Sequence, residues 1–243
     1  MKIIAVFLLG LSVATAPAFE VWTLRGQASV GVLDQYVGPS GYVYAKGPLI
    51  TTKLFVESYF GGYINILGYT ATKSADKSAN EADYIVGWAG PLKGLDWDLG
   101  VGYYDFAKIW SRRDNTWAWY AEVSKTYPFL AIPVFTVTPL LGYEESLPSS
   151  EASYGNDHII YGQVTWRVDP TENLGLYMSP EYGHDSGMYG YSSTSYEKLG
   201  VGMDVGVDGV VYNTEVTYLY SDDHIDETDD VEMQFAVKAT IAF

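Results

Sequence analysis

From Glu20 to the C-terminus, apolar and polar residues alternate with a period of two, and the alternating segments are separated by connections that themselves alternate between short and long. A period of two belongs to a strand whose two faces meet different surroundings. In the first such segment Trp22, Leu24, Ala28 and Val30 share one face, while Thr23, Arg25, Gln27 and Ser29 share the other. In the last, Phe235, Val237, Ala239, Ile241 and Phe243 alternate with Gln234, Lys238 and Thr240. Between them the pattern predicts strands over residues 49–57, 59–70, 83–89, 95–106, 116–125, 130–143, 158–168, 174–183, 196–207 and 210–220, twelve strands in all.

The connections constrain the fold further. The short set comprises Ser58, 90–94, 127–129, 169–173 and Asp208-Gly209, and is rich in the Gly, Pro, Asp and Asn that tight turns require. The long, polar set comprises 33–48, 71–82, 107–115, 144–157, 184–195 and 221–230. A soluble sandwich has no reason to sort its loops this way, whereas a transmembrane barrel has short turns at one end, long loops at the other and an even strand number. The sequence therefore predicts an all-β, 12-stranded antiparallel transmembrane β-barrel, an up-and-down meander with both termini in the periplasm. A soluble β-sandwich is the competing all-β fold.

Residues 1–18 read as a secretory signal peptide: Lys2 is the positive region, 3–11 the apolar stretch and Ala16-Pro17-Ala18 the cleavage site. A single barrel domain is then expected over 19–243. Removal of Lys2 shifts the formal charge of −16 to 13 − 30 = −17. That charge repels nucleic acid, which is bound by neutralising its phosphates with Lys and Arg. The chain has no cysteine, so the exported fold is held without disulfides.

On this parity the lipid-facing set includes Leu54, Val56, Ile64, Ile66, Val86, Leu99, Val101, Val123, Val164, Leu176, Met178, Val201, Met203, Val205 and Val216. Aromatic residues at strand ends, such as Trp22, Trp88, Trp97, Trp117, Trp119, Trp166, Tyr212, Tyr218, Tyr220 and Phe243, suit interfacial girdles. The opposite parity places Arg25, Lys53, Arg167, Lys198 and Lys238 inside, with Glu57, Asp83, Asp96, Asp98, Glu122, Glu181, Asp204, Glu215 and Glu232. A 12-stranded sheet closes to a backbone radius of roughly 12 Å, leaving a narrow bore once side chains are placed. Pore-lining candidates are Arg25, Lys53, Asp96, Asp98, Glu122, Asp204, Glu215 and Lys238. They form a basic wall facing an acidic one, and the excess of acids favours cations. The opposing reading is an ion-pair network that closes the lumen, since buried charges are normally paired.

The terminal strand ending on Phe243 resembles the C-terminal signature by which outer-membrane barrels are recognised, which implies the barrel-assembly machinery as a partner. Glu81-Ala82-Asp83-Tyr84-Ile85-Val86-Gly87-Trp88, a Gly-containing turn and Leu95-Asp96-Trp97-Asp98-Leu99-Gly100-Val101-Gly102-Tyr103-Tyr104 resemble the central hairpin of the TorF-type porin family. Trp117-Ala118-Trp119-Tyr120-Ala121-Glu122-Val123 and the acidic loop before the last strand are also similar to that family. Near the start the likeness fails, where the family tends to an aromatic-Arg-Gly stretch and this chain has residues 32–41. The resemblance implies an outer-membrane channel in contact with lipid and lipopolysaccharide.

Other constellations carry less. His184-Asp185-Ser186 has the H-x-S spacing of outer-membrane phospholipases, but a Ser–His nucleophile needs mutual contact and an orienting third group. The pair is expected to be solvated loop residues, and the chain is not expected to be an enzyme. Asp222, Asp223, Asp226, Glu227, Asp229 and Asp230 could bridge divalent cations to lipopolysaccharide, yet their spacing departs from an EF-hand and suits a solvated loop. No phosphate loop or nucleotide fingerprint occurs, so no cofactor and no metal are expected. A closed barrel that displays its loops and a lipid-modifying enzyme remain the alternatives to a channel.

Overall fold

The computed structural model describes residues 24–37, 43–72, 80–106, 115–129, 132, 134–147, 157–188, 193–221 and 232–243. The candidate signal peptide and the acidic stretch from Asp222 to Asp230 lie outside the described residues. The strands are β1 (Leu24–Val37), β2 (Val43–Ser58), β3 (Gly62–Ala71), β4 (Glu81–Leu92), β5 (Leu95–Phe106), β6 (Thr116–Ser124), β7 (Tyr127–Pro128), β8 (Phe135–Leu147), β9 (His158–Thr171), β10 (Leu174–Asp185), β11 (Thr194–Val207), β12 (Val210–Ser221) and β13 (Glu232–Ala242). Each pairs antiparallel with its sequence neighbour, β1 pairs with β13, and β6 skips the two-residue β7 to pair with β8. The result is a closed, 12-stranded antiparallel transmembrane barrel of meander topology, with β7 as a short addition beside β8.

Closure follows from the alternation. Val56, Ile64, Val86, Val101 and Trp119 are successive register partners across β2 to β6. Met178, Val201, Val216 and Phe235 continue the same face across β10 to β13. A one-residue slip at any ladder would turn this set into the lumen, so the apolar face specifies the register. These side chains stand open on the outside: Val86 is 56% and Ile64 53% exposed. In water that would be an aggregation surface; in a bilayer it is the solvated face.

At two of the short turns the backbone geometry is explicit. Lys93-Gly94 and Asp208-Gly209 have positive φ at both residues (55° and 79°; 51° and 80°), which is the I′ geometry that matches the twist of two paired strands.

Several boundaries differ from the sequence expectation. The expected loop 33–48 is largely strand: Leu33 pairs with Leu49 and Gln35 with Lys46, with irregular register after Leu33. Beyond the lipid band neither face has to be apolar, so the alternation stops while the ladder continues. Gly90, Pro91 and Leu92 belong to β4, and Asp169 and Pro170 to β9, because a two-residue turn needs no more chain. Tyr59 falls in a turn, not in the third strand. The seventh predicted segment, 130–143, moves to Phe135–Leu147, and part of the 127–129 link forms β7. Pro139 is tolerated where β6 is ending: its carbonyl accepts from Lys125 N (3.2 Å), just past the last ladder pair Ser124–Leu140.

Candidate functional site

The inner face is organised by tyrosine and glycine. Five tyrosines each lie over the glycine that is their cross-strand partner: Tyr63 over Gly87, Tyr120 over Gly100, Tyr161 over Gly142, Tyr177 over Gly202 and Tyr196 over Gly183. A Cβ added at any of these glycines would come within 2.2–2.5 Å of the ring. The missing side chain is what lets each ring lie along the wall.

Each hydroxyl then reaches a carboxylate, as a partly buried O–H must find an acceptor. Tyr63 donates to Asp98 Oδ1 (2.5 Å), and Tyr120 hydrogen bonds to the Tyr63 hydroxyl and to Asp98 Oδ1 (3.3 Å). Tyr161 donates to Glu122, Tyr177 to Glu215 Oε2 (2.5 Å) and Tyr196 to Glu181 Oε1 (3.1 Å). Tyr104 reaches past β6 to Glu144 Oε1 (3.0 Å) on β8. Carboxylates on this face are thus held largely by neutral phenols.

Basic residues serve few of them. Among the described residues the ion pairs are Arg167 with Asp169 (2.8 Å) and Asp204 (2.7 Å), and Lys198 with Glu181 (3.4 Å). Arg25, Lys53 and Lys238 enter none of these. They sit on the adjacent strands β1, β2 and β13, with Arg25 opposite Glu57, Lys53 opposite Ser29, and Lys238 opposite Gly31 and Asn213.

The eight candidates gather unevenly. Lys53, Lys238 and Glu215 share a cavity of about 340 Å³. Asp96, Asp98 and Glu122 share one of about 370 Å³ with Glu57 and Ser124. Asp204 borders a third, about 310 Å³, with Arg167 and Asp169 beside the turns after β9 and β11. Arg25 stands apart from these groups at the short-turn end.

Sequence reasoning missed Glu144, which lay in an expected loop, and Asp169, which lay in an expected turn. It also missed the inward tyrosines as a class, because it assigned aromatics to the girdles. Tyr on the polar parity, with Gly on the same parity of the next strand, is the signal that would have found them. His184 and Ser186 do not pair with each other. His184 contacts Ser195 and Ser193 (both 3.2 Å), whereas Ser186 Oγ accepts from the His158 backbone N–H (2.7 Å) and lies 3.3 Å from its Nδ1.

Neither a protein-family model nor a curated protein sequence matches the chain, so membership of the TorF-type family is not shown. Solved structures do match in fold. The NanC porin aligns over 90% of this chain and 99% of its own, at 10% identity and a TM-score of 0.55. The KdgM porin in complex with disordered oligogalacturonate aligns over 90% and 99%, at 9% identity and 0.52. LpxR from Salmonella typhimurium aligns over 88% and 99%, at 10% identity and 0.56. At such identities the likeness concerns architecture: this chain has the 12-stranded barrel fold shared with bacterial outer-membrane porins and channels.

Proposed function

We propose that this protein is an outer-membrane channel of the TorF-type porin class for passive diffusion of small hydrophilic solutes or ions, with weak cation preference. The observation that carries this reading is the wall-bound arrangement of the inward tyrosines. They satisfy carboxylates from the side, so the inner face needs no ion-pair plug, and cavities of about 310–370 Å³ stay between the side chains. The acids of β4 to β8, foremost Asp96, Asp98 and Glu122, supply the cation preference, because carboxylates lower the barrier to a passing cation. Filtering is by bore and charge, with no chemical step. Export by residues 1–18, insertion through the barrel-assembly machinery at the strand ending in Phe243, periplasmic termini and loops facing lipopolysaccharide complete the reading.

A closed barrel is the second reading, favoured by the Arg167 and Lys198 ion pairs, which bridge strands on one side of the lumen. Planar-bilayer recording separates the two. The channel reading expects discrete conductance steps, and in a KCl gradient a reversal potential on the cation side that shrinks in Asp98→Asn/Glu122→Gln. A folded protein that gives no steps at any voltage overturns it.

A further inference from the structure

Lys53, Lys238 and Glu215 line one cavity of about 340 Å³ without pairing with one another, and neither ammonium has a carboxylate partner among the described residues. Register explains the separation. Lys238 lies opposite Asn213, and Glu215 is two residues further along β12. Lys238 also lies opposite Gly31, two residues from the Ser29 that is opposite Lys53. Side chains on one face of a strand repeat every two residues, or about 7 Å. The three charges therefore stand on successive rows of the inner wall. Glu215 is also held from the side: Tyr177 donates to Oε2 (2.5 Å) and Thr217 to Oε1 (2.8 Å). An ionised carboxylate has about four acceptor positions, so both oxygens keep capacity for a ligand. Gly200 leaves the space beside Oε1 open, where a Cβ would stand at 3.4 Å.

The same cavity has an apolar part and a spare acceptor. Leu33, Leu67, Tyr36 and Tyr69 contribute to its lining, and the two rings stack at 4.6 Å between centroids and 18° between planes. Asn213 spends its NH₂ on Tyr177 and Asp204 (2.9 and 2.8 Å). Its amide oxygen accepts no hydrogen bond among the described residues, and an acceptor of that kind suits a ligand N–H. Two cations and one anion that do not neutralise each other, beside an apolar wall, are complementary to a molecule that carries both charges and an apolar group. A volume of about 340 Å³ is at the small end of ligand pockets and accommodates one such molecule.

We propose that this cavity is a binding station for small zwitterionic α-amino acids with apolar side chains. Lys53 and Lys238 take the carboxylate, Glu215 and the amide oxygen of Asn213 take the ammonium, and Leu33, Leu67 and the tyrosine pair take the side chain. A simple carboxylate would be repelled by Glu215, and a simple amine would be repelled by the two lysines. A zwitterion has no net charge, so the acids that favour cations elsewhere in the lumen do not exclude it. The station rests on the channel reading and deepens it by naming a solute class.

The test uses the full barrel, folded in detergent, with L-leucine as probe. Three controls each lack one part of it: isocaproate the ammonium, isopentylamine the carboxylate and glycine the side chain. Saturation-transfer NMR is expected to show leucine binding well above all three. Glu215→Gln is expected to weaken leucine about tenfold without weakening isocaproate, and Lys53→Met/Lys238→Met to weaken leucine about tenfold without weakening isopentylamine, the effect of removing charges near contact distance in a watery lumen. Circular dichroism establishes folding of the variants, and the comparison of ligands on the native barrel stands whether or not they fold. Binding of any control equal to that of leucine overturns the station, as does unchanged leucine binding in either folded variant. Leucine binding without bilayer conductance leaves the station standing and overturns the channel, whereas conductance without binding does the reverse.

Discussion

Replacing Gly202 with Ala tests the idea that glycine is required on the inner wall by the opposing ring and not by the backbone. Gly202 has no positive φ, so in the absence of Tyr177 an alanine there is expected to be neutral or to stabilise by about 0.4–1 kcal/mol, through the unfolded chain. With Tyr177 present, the new Cβ would stand 2.2 Å from the ring Cζ, where ordinary contact begins at 3.4 Å. The ring must retreat by 3.4 − 2.2 = 1.2 Å. Added along the 2.5 Å bond to Glu215 Oε2, that displacement gives about 3.7 Å, outside hydrogen-bonding range. The hydrogen bond lost is to a charged acceptor and contributes about 1.5–3 kcal/mol. Net destabilisation of about 1–2 kcal/mol is therefore expected in the native background, with a change of sign in the Tyr177→Ala background. Guanidinium unfolding of the four proteins of this cycle in lipid vesicles, followed by the fluorescence of the seven tryptophans, measures it. An equal cost of Gly202→Ala in both backgrounds would refute the reasoning, because the penalty would then belong to the backbone.

Two further perturbations probe the barrel. Met178 and Ser179 are adjacent on β10 but face opposite ways, Met178 beside Val201 and Ser179 beside Gly200. Met178→Arg is expected to cost about 2–4 kcal/mol near the bilayer midplane and Ser179→Arg about 1 kcal/mol or less, by unfolding in vesicles; comparable costs would contradict the assignment of faces. Phe243 closes the seam, its backbone exchanging hydrogen bonds of 2.8 and 2.9 Å with Gly26 and its ring covering that glycine. Phe243→Ala is expected to slow insertion into vesicles carrying the barrel-assembly machinery and to leave unassisted insertion nearly unchanged; equal slowing in both would remove Phe243 as a recognition element.

The parts of this fold legible in the sequence are those decided within one strand or one turn. Strand β5 falls at 95–106 as the alternation predicts, and Asp208-Gly209 forms the expected turn, because pleat and positive φ are local properties. Strand ends beyond the lipid band were not legible. At 33–37 and 43–48 the sequence loses its apolar contrast while the backbone ladder goes on, so composition resembles a loop where pairing does not. Pro139 shows the converse: it looks like a strand breaker, yet it sits where its neighbour β6 is ending and the ladder needs no donor from it.

Parity put Lys53, Asp98, Glu122, Glu215 and Lys238 on one face of the sheet, but it could not say what any of them touches. That depends on register, and register is set around the whole closed sheet, where strands far apart in sequence, β1 and β13, become neighbours. Only closure brings Lys53 and Lys238 into one cavity, and only register lays Tyr177 across Gly202 toward Glu215. The sequence by itself determined that the chain is a barrel with an apolar outside and a polar inside, because alternation is written residue by residue. The tertiary structure decided which acids are held by tyrosines and which lysines stand without a carboxylate partner among the described residues, because those contacts cross strands that no local pattern aligns.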